Sequence, residues 1–159
     1  MRYCAAMARR SRAPRPRGRS KDAKLELLGR IPLFSACTKG DLRRIASLAD
    51  EVDVLEGTVL TRQGDPGREC FVIVDGRARA TMRGRRSVPI GPGDFFGEIS
   101  LLDQGPRSAT VTAETDMELL VLTSPGFWSL IRDVPVVAPR IMRVLAGRLR
   151  EAERPRPEH

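Results

Sequence analysis

Residues 91–111 read GPGDFFGEISLLDQGPRSATV, a segment in which a turn, a short helix and a strand follow one another closely. Pro92 and Gly93 predict the turn, because proline fixes one backbone angle and glycine permits the left-handed one. Gly97 removes a side chain where the backbone must bend or let another group approach. Residues 98–102 are long enough for a single helical turn, and residues 107–113 alternate as in a strand.

The residue types in this segment suit a small anion that also carries hydroxyl groups. Free backbone N–H groups at the start of a short helix attract negative charge. Arg107 offers a planar fork of donors that matches phosphate oxygens. Glu98 cannot help to bind a phosphate, so its natural partner is a hydroxyl such as that of a ribose. Hydrogen bonds to charged groups contribute roughly 1.5–3 kcal/mol each, so two or three of them would support micromolar binding.

The run FGEISLL at residues 96–102, followed by PRSATV at 106–111, resembles the phosphate-binding cassette of cyclic nucleotide-binding domains. This family includes the catabolite activator protein, protein kinase A regulatory subunits and cyclic-nucleotide-gated channels. The resemblance implies that Glu98 holds the ribose 2′-hydroxyl and that Arg107 pairs with the cyclic phosphate, with nearby backbone amides completing the cradle. The ligand-binding residues that it implies are Phe96, Gly97, Glu98, Ile99, Ser100, Arg107, Ser108 and Ala109.

The residue after Arg107 bears on the choice of nucleotide. In the family that this segment resembles, a threonine at that position tends to accompany cGMP, whereas alanine or serine is more usual in cAMP sites. Ser108 therefore favours cAMP, and cGMP stays open. The Arg- and Ala-rich composition is typical of a bacterial source, which also favours cAMP.

The rest of the chain predicts a mainly β fold with flanking α-helices. From Asp50 to Thr123 about eight short strands alternate with turns, which indicates an eight-stranded jelly-roll β-barrel. Residues 24–48 have helical periodicity, with Thr38 as a helix cap, and predict the N-terminal helices. Ser124, read as a helix cap before Pro125, begins the first of two C-terminal helices, and the second runs from Val134 to about residue 150. The family resemblance covers residues 25–150.

Charged side chains are distributed unevenly along the 159 residues. Residues 1–24 contain nine basic side chains and one acidic, which account for the whole net charge of +8, and residues 25–159 hold 19 of each sign. We therefore predict a disordered basic tail at 1–24, a cyclic nucleotide-binding domain at 25–150 and a disordered tail at 151–159. The basic tail could contact nucleic acid, but no aromatic residue is interleaved for base stacking, so a solvated extension is favoured.

Several classes of protein are disfavoured by what the sequence lacks. No apolar run approaches the roughly 20 residues that span a membrane. The three cysteines have no disulfide or zinc spacing, which favours a reducing, cytoplasmic compartment. The one histidine is the terminal His159, which excludes a histidine-based metal site, and no Gly-x-Ser-x-Gly motif is present. We expect neither a metal nor catalysis.

The resemblance also implies which partners to expect. Nothing after Glu151 predicts a DNA-recognition helix, so we expect a stand-alone sensor that signals by moving its C-terminal helix. Its output would pass to a protein effector in trans or through a homodimer formed by that helix. Two alternatives remain open: a degenerate barrel that serves as a protein-interaction scaffold, and a nucleic-acid-associated protein acting through the tail. Taken singly, Glu98 and Arg107 could also be solvated surface groups.

Overall fold

The computed structural model describes residues 15–16 and 20–155, which form two antiparallel β-sheets with helices packed on one side. The strands are β1 (Arg15–Pro16), β2 (Asp50–Val54), β3 (Val59–Thr61), β4 (Glu69–Asp75), β5 (Ala78–Thr81), β6 (Val88–Ile90), β7 (Phe95–Phe96), β8 (Thr110–Ala113) and β9 (Met117–Thr123). One sheet has the order β1-β2-β9-β4-β7 and the other β3-β8-β5-β6. The eight strands β2–β9 match the predicted number, and the barrel architecture is confirmed, although β7 falls on residues for which the sequence predicts no strand.

The central strands β4 and β9 pair along most of their length, from Glu69 opposite Thr123 to Asp75 opposite Glu118. Their alternate side chains enter two different cores, which explains why each reads as a nearly continuous apolar run. The core between the sheets contains Val52, Val54, Leu60, Phe71, Ile73, Ala78, Phe96, Val111, Ala113, Met117, Leu119 and Val121. The core under the helices contains, from these two strands, Cys70, Val72, Leu120 and Leu122.

The helices are α1 (Lys21–Arg30), α2 (Lys39–Leu48), α3 (Glu98–Asp103), α4 (Ser124–Asp133) and α5 (Val137–Glu153), with a 3₁₀ turn at Pro32–Phe34. Thr38 caps α2 as predicted, because its hydroxyl accepts from the Asp41 N–H while the Asp41 carboxylate accepts from the Thr38 N–H, both at 3.1 Å. The cap of α4 is Thr123 and not the predicted Ser124, which is already the first helical residue.

The ends of the folded domain differ from the sequence-based boundaries. Helix α1 begins at Lys21 after the cap Ser20, so residues 21–24 belong to the fold and not to a disordered tail. The backbone of Arg15–Pro16 pairs with β2. Helix α5 begins at Val137 and ends at Glu153, three residues later at each end than predicted. The remaining residues of the two predicted tails, 1–14, 17–19 and 156–159, lie outside the described residues.

The other expectations about the chain can be checked only over the part that the structure describes. There, no helix is long and apolar enough to cross a membrane. No group of three or more His, Cys, Asp or Glu side chains in residues 20–155 is placed to hold a metal ion. Cys37 and Cys70 are free thiols, and burial raises the pKa of the Cys70 thiol. The expectation of a reducing compartment stays a prediction.

Candidate ligand-binding site

The segment that carries the predicted site begins at the edge of the larger sheet. Strand β7 pairs with β4, and the Phe96 ring stacks on Phe71 with 4.8 Å between centroids, which fixes the start of α3 to the barrel core. Gly97 follows with φ of +86°, a conformation that favours glycine. A Cβ atom there would lie 2.7 Å from Arg107 Nη1. Gly97 thus allows both the turn and the close approach of Arg107.

Arg107 is buried beside Gly97, with 6% of its surface exposed. Its Nη1 donates to the Glu69 carbonyl at 2.7 Å and to the Gly97 carbonyl at 2.9 Å. Its Nη2 lies 3.8 Å from the Glu69 carboxylate. Burial lowers the pKa of the Arg107 guanidinium and raises that of the Glu69 carboxyl, and each group partly offsets the shift of the other. Nη1 therefore anchors the side chain, while Nε makes no hydrogen bond to the residues described.

Glu98 is the first residue of α3 and is 2% exposed. Burial raises the pKa of its carboxyl group, and the charge of Arg148 opposes the shift. The Arg148 Nη1 donates to Glu98 Oε1 at 2.7 Å, and its Nη2 donates to the Phe95 carbonyl. The same guanidinium lies 4.7 Å from the centre of the Phe95 ring. The C-terminal helix α5 is thus connected directly to the carboxylate of the predicted site.

The loop before β4 closes over Ser100 and Arg107. The Gly64 N–H donates to the Arg107 carbonyl at 2.9 Å, and the Arg107 N–H donates to the Asp65 carbonyl at 2.8 Å. A Cβ atom at Gly67 would lie 2.7 Å from both Ser100 Oγ and Arg107 Nε. Ser100 is 3% exposed, and its hydroxyl has no hydrogen-bond partner within the described residues.

The predicted site residues therefore divide into two groups. The structure brings Gly97, Glu98, Ser100 and Arg107 together as buried or closely packed groups, with Phe96 in the core beneath them. The side chains of Ile99 and Ser108 are exposed, whereas Ala109 is half-buried and its carbonyl accepts from Thr61 Oγ1 at 2.9 Å. The interpretation of Glu98 and Arg107 as solvated surface groups is wrong, since both are buried.

Three residues of the site were not found from the sequence. The sequence predicts no role in the site for Gly67 or Glu69, although Gly67 lies against two predicted site residues and Glu69 holds Arg107. Arg148 is 50 residues from Glu98 along the chain. A buried glutamate needs a cation, but no local pattern indicates which of the many arginines supplies it.

Comparison with known proteins agrees with this geometry. The family described as the cyclic nucleotide-binding domain matches residues 51–134, more than half of the chain. The chain belongs to the cyclic nucleotide-binding domain family. Within this family it is 42% identical over 103 residues to the "Cyclic AMP receptor protein" of Thermus thermophilus, an overlap that covers 62% of this chain and 48% of that protein.

Two further relatives show how this cyclic nucleotide-binding domain compares with longer proteins. A "Putative potassium channel protein" of Rhodopseudomonas palustris is 36% identical over 126 residues, which cover 77% of this chain and 30% of that protein. The crystal structure of the Thermus thermophilus catabolite activator protein matches with a TM-score of 0.68 and 36% identity, covering 77% of this chain and 60% of that one. The chain spans only 30–58% of the first curated relatives that it matches.

Proposed function

We propose that this domain is a regulatory module that binds a cyclic nucleotide, with cAMP preferred and cGMP possible, and that catalyses no reaction. The observation that carries the proposal is the burial of a carboxylate and a guanidinium within one cassette, Glu98 at 2% and Arg107 at 6% exposure. Burying either charge costs free energy unless a partner compensates. Glu98 and Arg107 together place a carboxylate acceptor and a guanidinium donor in one cassette, which suits a ligand that carries both hydroxyl groups and a phosphate.

Each group has a role that follows from its chemistry. Arg107 is fixed through Nη1, and its remaining donors suit the anionic oxygens of a cyclic phosphate. Glu98 is an acceptor for a ribose hydroxyl, which is a neutral donor that a carboxylate can bind while Arg107 holds the phosphate. The exposed Ser108 and the cAMP-receptor relative support a preference for cAMP.

The signal would leave the site through α5. Arg148 on that helix occupies an oxygen of Glu98, so a ribose hydroxyl that bonds to Glu98 would compete with it. Loss of the ion pair would release α5 from the cassette. Met142 and Leu149 on α5 are about 60% exposed and offer an apolar surface to an effector protein or to a second copy of the chain.

Calorimetric titration of the full chain with cAMP, cGMP and 5′-AMP tests the binding proposal. We expect micromolar or tighter binding of cAMP, weaker binding of the open-chain 5′-AMP, and at least a 100-fold loss in Arg107→Ala. The matched control is Arg43→Ala, which removes an exposed arginine on α2. Absence of binding by either cyclic nucleotide to the folded protein would overturn the proposal and favour the protein-interaction scaffold.

Two further measurements separate the remaining alternatives. Hydrogen exchange over residues 134–150 should change on saturation with nucleotide, and unchanged exchange would contradict signalling through α5. Binding to nucleic acid that falls steeply with salt and disappears on deletion of residues 1–20 would instead support a role for the basic tail.

A further inference from the structure

We propose that residues 15–17 form a basic strap on the outer edge of β2, in which Arg15 and Arg17 neutralise a row of acidic side chains on the larger sheet. The strap belongs to the same chain as the sheet that it covers. This inference goes beyond ligand binding, and its test needs no nucleotide.

The larger sheet carries an acidic row, which consists of Glu51, Asp53 and Glu118. Asp53 lies directly opposite Glu118 in the pairing of β2 with β9, and Glu51 lies two residues along β2, opposite Leu120. Leu120 belongs to the core under the helices, so the acidic row shares that face of the sheet. Glu51 is 6% and Glu118 7% exposed. Like charges opposite each other destabilise a sheet, and buried carboxylates require compensating charge, so the row favours cations beside it.

The backbone pairing of β1 brings basic residues to this row. In the antiparallel register, Arg15 is opposite Asp53 and Pro16 is opposite Val52. Residues opposite each other in a sheet share one of its faces, so this register sets Arg15 on the face of the acidic row. The proposal extends the register by one residue, which sets Arg17 opposite Glu51. Pro16 suits this place, because proline has no N–H to donate and is found on edge strands.

The length of the connection favours a strap from the same chain over one from a second copy. Only three residues separate Pro16 from Ser20, whose hydroxyl caps α1 by accepting from the Ala23 N–H at 3.3 Å. A connection of this length spans at most about 14 Å. The strap is therefore held near β2 at a high effective concentration, which a second copy lacks.

The charge of the segment complements the acidic row. Residues 9–19 contain six arginines and no acidic residue. A strap that pairs with β2 would also cover backbone groups that an edge strand offers to other chains. The inference thus gives part of the basic segment a place on its own domain, in contrast to a contact with nucleic acid.

Thermal unfolding of the full chain without ligand tests the charge pairing. Arg15→Gln and Arg17→Gln should each lower the Tm by about 2–4 °C. The loss should shrink at about 1 M NaCl, because salt screens ion pairs. Arg9→Gln and Arg10→Gln, which neutralise arginines of the same segment outside the strap, are the controls and should keep the wild-type Tm.

A double-mutant cycle tests which carboxylate Arg15 faces. In an Asp53→Asn background, Arg15→Gln should lower the Tm by less than it does in the wild type, because its partner is already neutral. Asp50→Asn is the matched control, since Asp50 is opposite Val121 of the core between the sheets and so lies on the other face of β2. Equal effects of Arg15→Gln in the two backgrounds would contradict the pairing.

Cysteine cross-linking separates a strap of the same chain from one supplied by a second copy. Opposite residues of an antiparallel pair have Cα atoms about 4.5–5.5 Å apart, within reach of a disulfide. In a chain with Cys4→Ser and Cys37→Ser, oxidised glutathione should link Arg15→Cys to Asp53→Cys within one monomer, and faster than it links Arg10→Cys to Asp53→Cys. Disulfide-linked dimers in place of linked monomers would overturn the inference. Equal rates for the two pairs, together with wild-type Tm values for both strap variants, would overturn it as well.

Discussion

Arg148 of the last helix forms an ion pair with Glu98, with 2.7 Å between Nη1 and Oε1, across 50 residues of sequence. The glutamate side chain is 3% exposed and the arginine 38%, so the pair lies at the border of the interior. The carboxylate that we propose for the ligand therefore also bonds to the C-terminal helix. We propose that ligand binding and the position of α5 are coupled through this side chain.

Arg148→Ala should raise the affinity for cAMP several-fold, because the ribose hydroxyl no longer competes with a guanidinium for Glu98. The substitution also leaves a buried carboxylate unpaired, so the ligand-free variant should be less stable by about 1–3 kcal/mol. Hydrogen exchange over α5 in the ligand-free variant should resemble that of the nucleotide-bound wild type. Arg143→Ala, on an exposed position of the same helix, is the control. A drop in affinity together with unchanged exchange would mean that Arg148 is a ligand contact and not a latch.

Comparison of the wild type with Glu98→Gln should show how the buried Glu98 carboxyl changes the free energy of unfolding with pH. Burial raises its pKa above 4.5, so its contribution to stability is fully present below about pH 4.5 and is lost as the pH rises through the higher folded-state pKa. The free energy of unfolding of the wild type, minus that of Glu98→Gln, should therefore fall between pH 4 and pH 8. The fall should be about 1.4 kcal/mol for each unit of pKa shift.

Denaturant titrations of both proteins at several pH values measure that difference. Glu69, whose pKa is also raised, titrates in both proteins and largely cancels from the comparison. A difference that stays constant or grows with pH would show that Arg148 compensates the burial of Glu98 completely.

Gly67→Ala should lower both stability and affinity. Its Cβ would lie 2.6 Å from Ser100 Cβ and 2.7 Å from Arg107 Nε, so one of these side chains must move. Such overpacking costs about 1–3 kcal/mol, and displacement of Arg107 should weaken cAMP binding at least tenfold. Gly147→Ala is the matched control, because no atom lies within 4 Å of its added Cβ and the position is helical. It should gain about 0.5–1 kcal/mol in stability and keep its affinity. Equal behaviour of the two variants would contradict the steric argument.

Thr38→Ala should lower stability without affecting the site. It removes the cap of α2, which contributes about 1 kcal/mol. Thermal unfolding should show the loss, Thr38→Ser should restore most of it, and calorimetry should show wild-type affinity for cAMP in both. A change in affinity would indicate that α2 is coupled to the ligand site.

The sequence by itself predicted the barrel and the segment that carries the candidate site, because the relevant signals are local. Strand β4 was readable as an apolar run, since burial on both faces removes the alternation of polar residues. The turn at Gly97 and the groups at Glu98 and Arg107 lie within about a dozen residues, so one short segment carries the residue types and the family resemblance that predict a common cradle. Local sequence also predicted the cap at Thr38, because the Asp41 that completes it is three residues away.

Only the tertiary structure decided which distant residues complete the site. Gly67, Glu69 and Arg148 reach the cassette from a loop, a strand start and the last helix, and their contacts depend on how these elements pack. Net charge and periodicity can place an arginine on a helix, but they do not say what its side chain contacts. Arg148 is one of several arginines on α5. The position of the helix axis decides which of these arginines faces the buried carboxylate. Many weak packing contacts contribute to that position, and no single stretch of sequence encodes it.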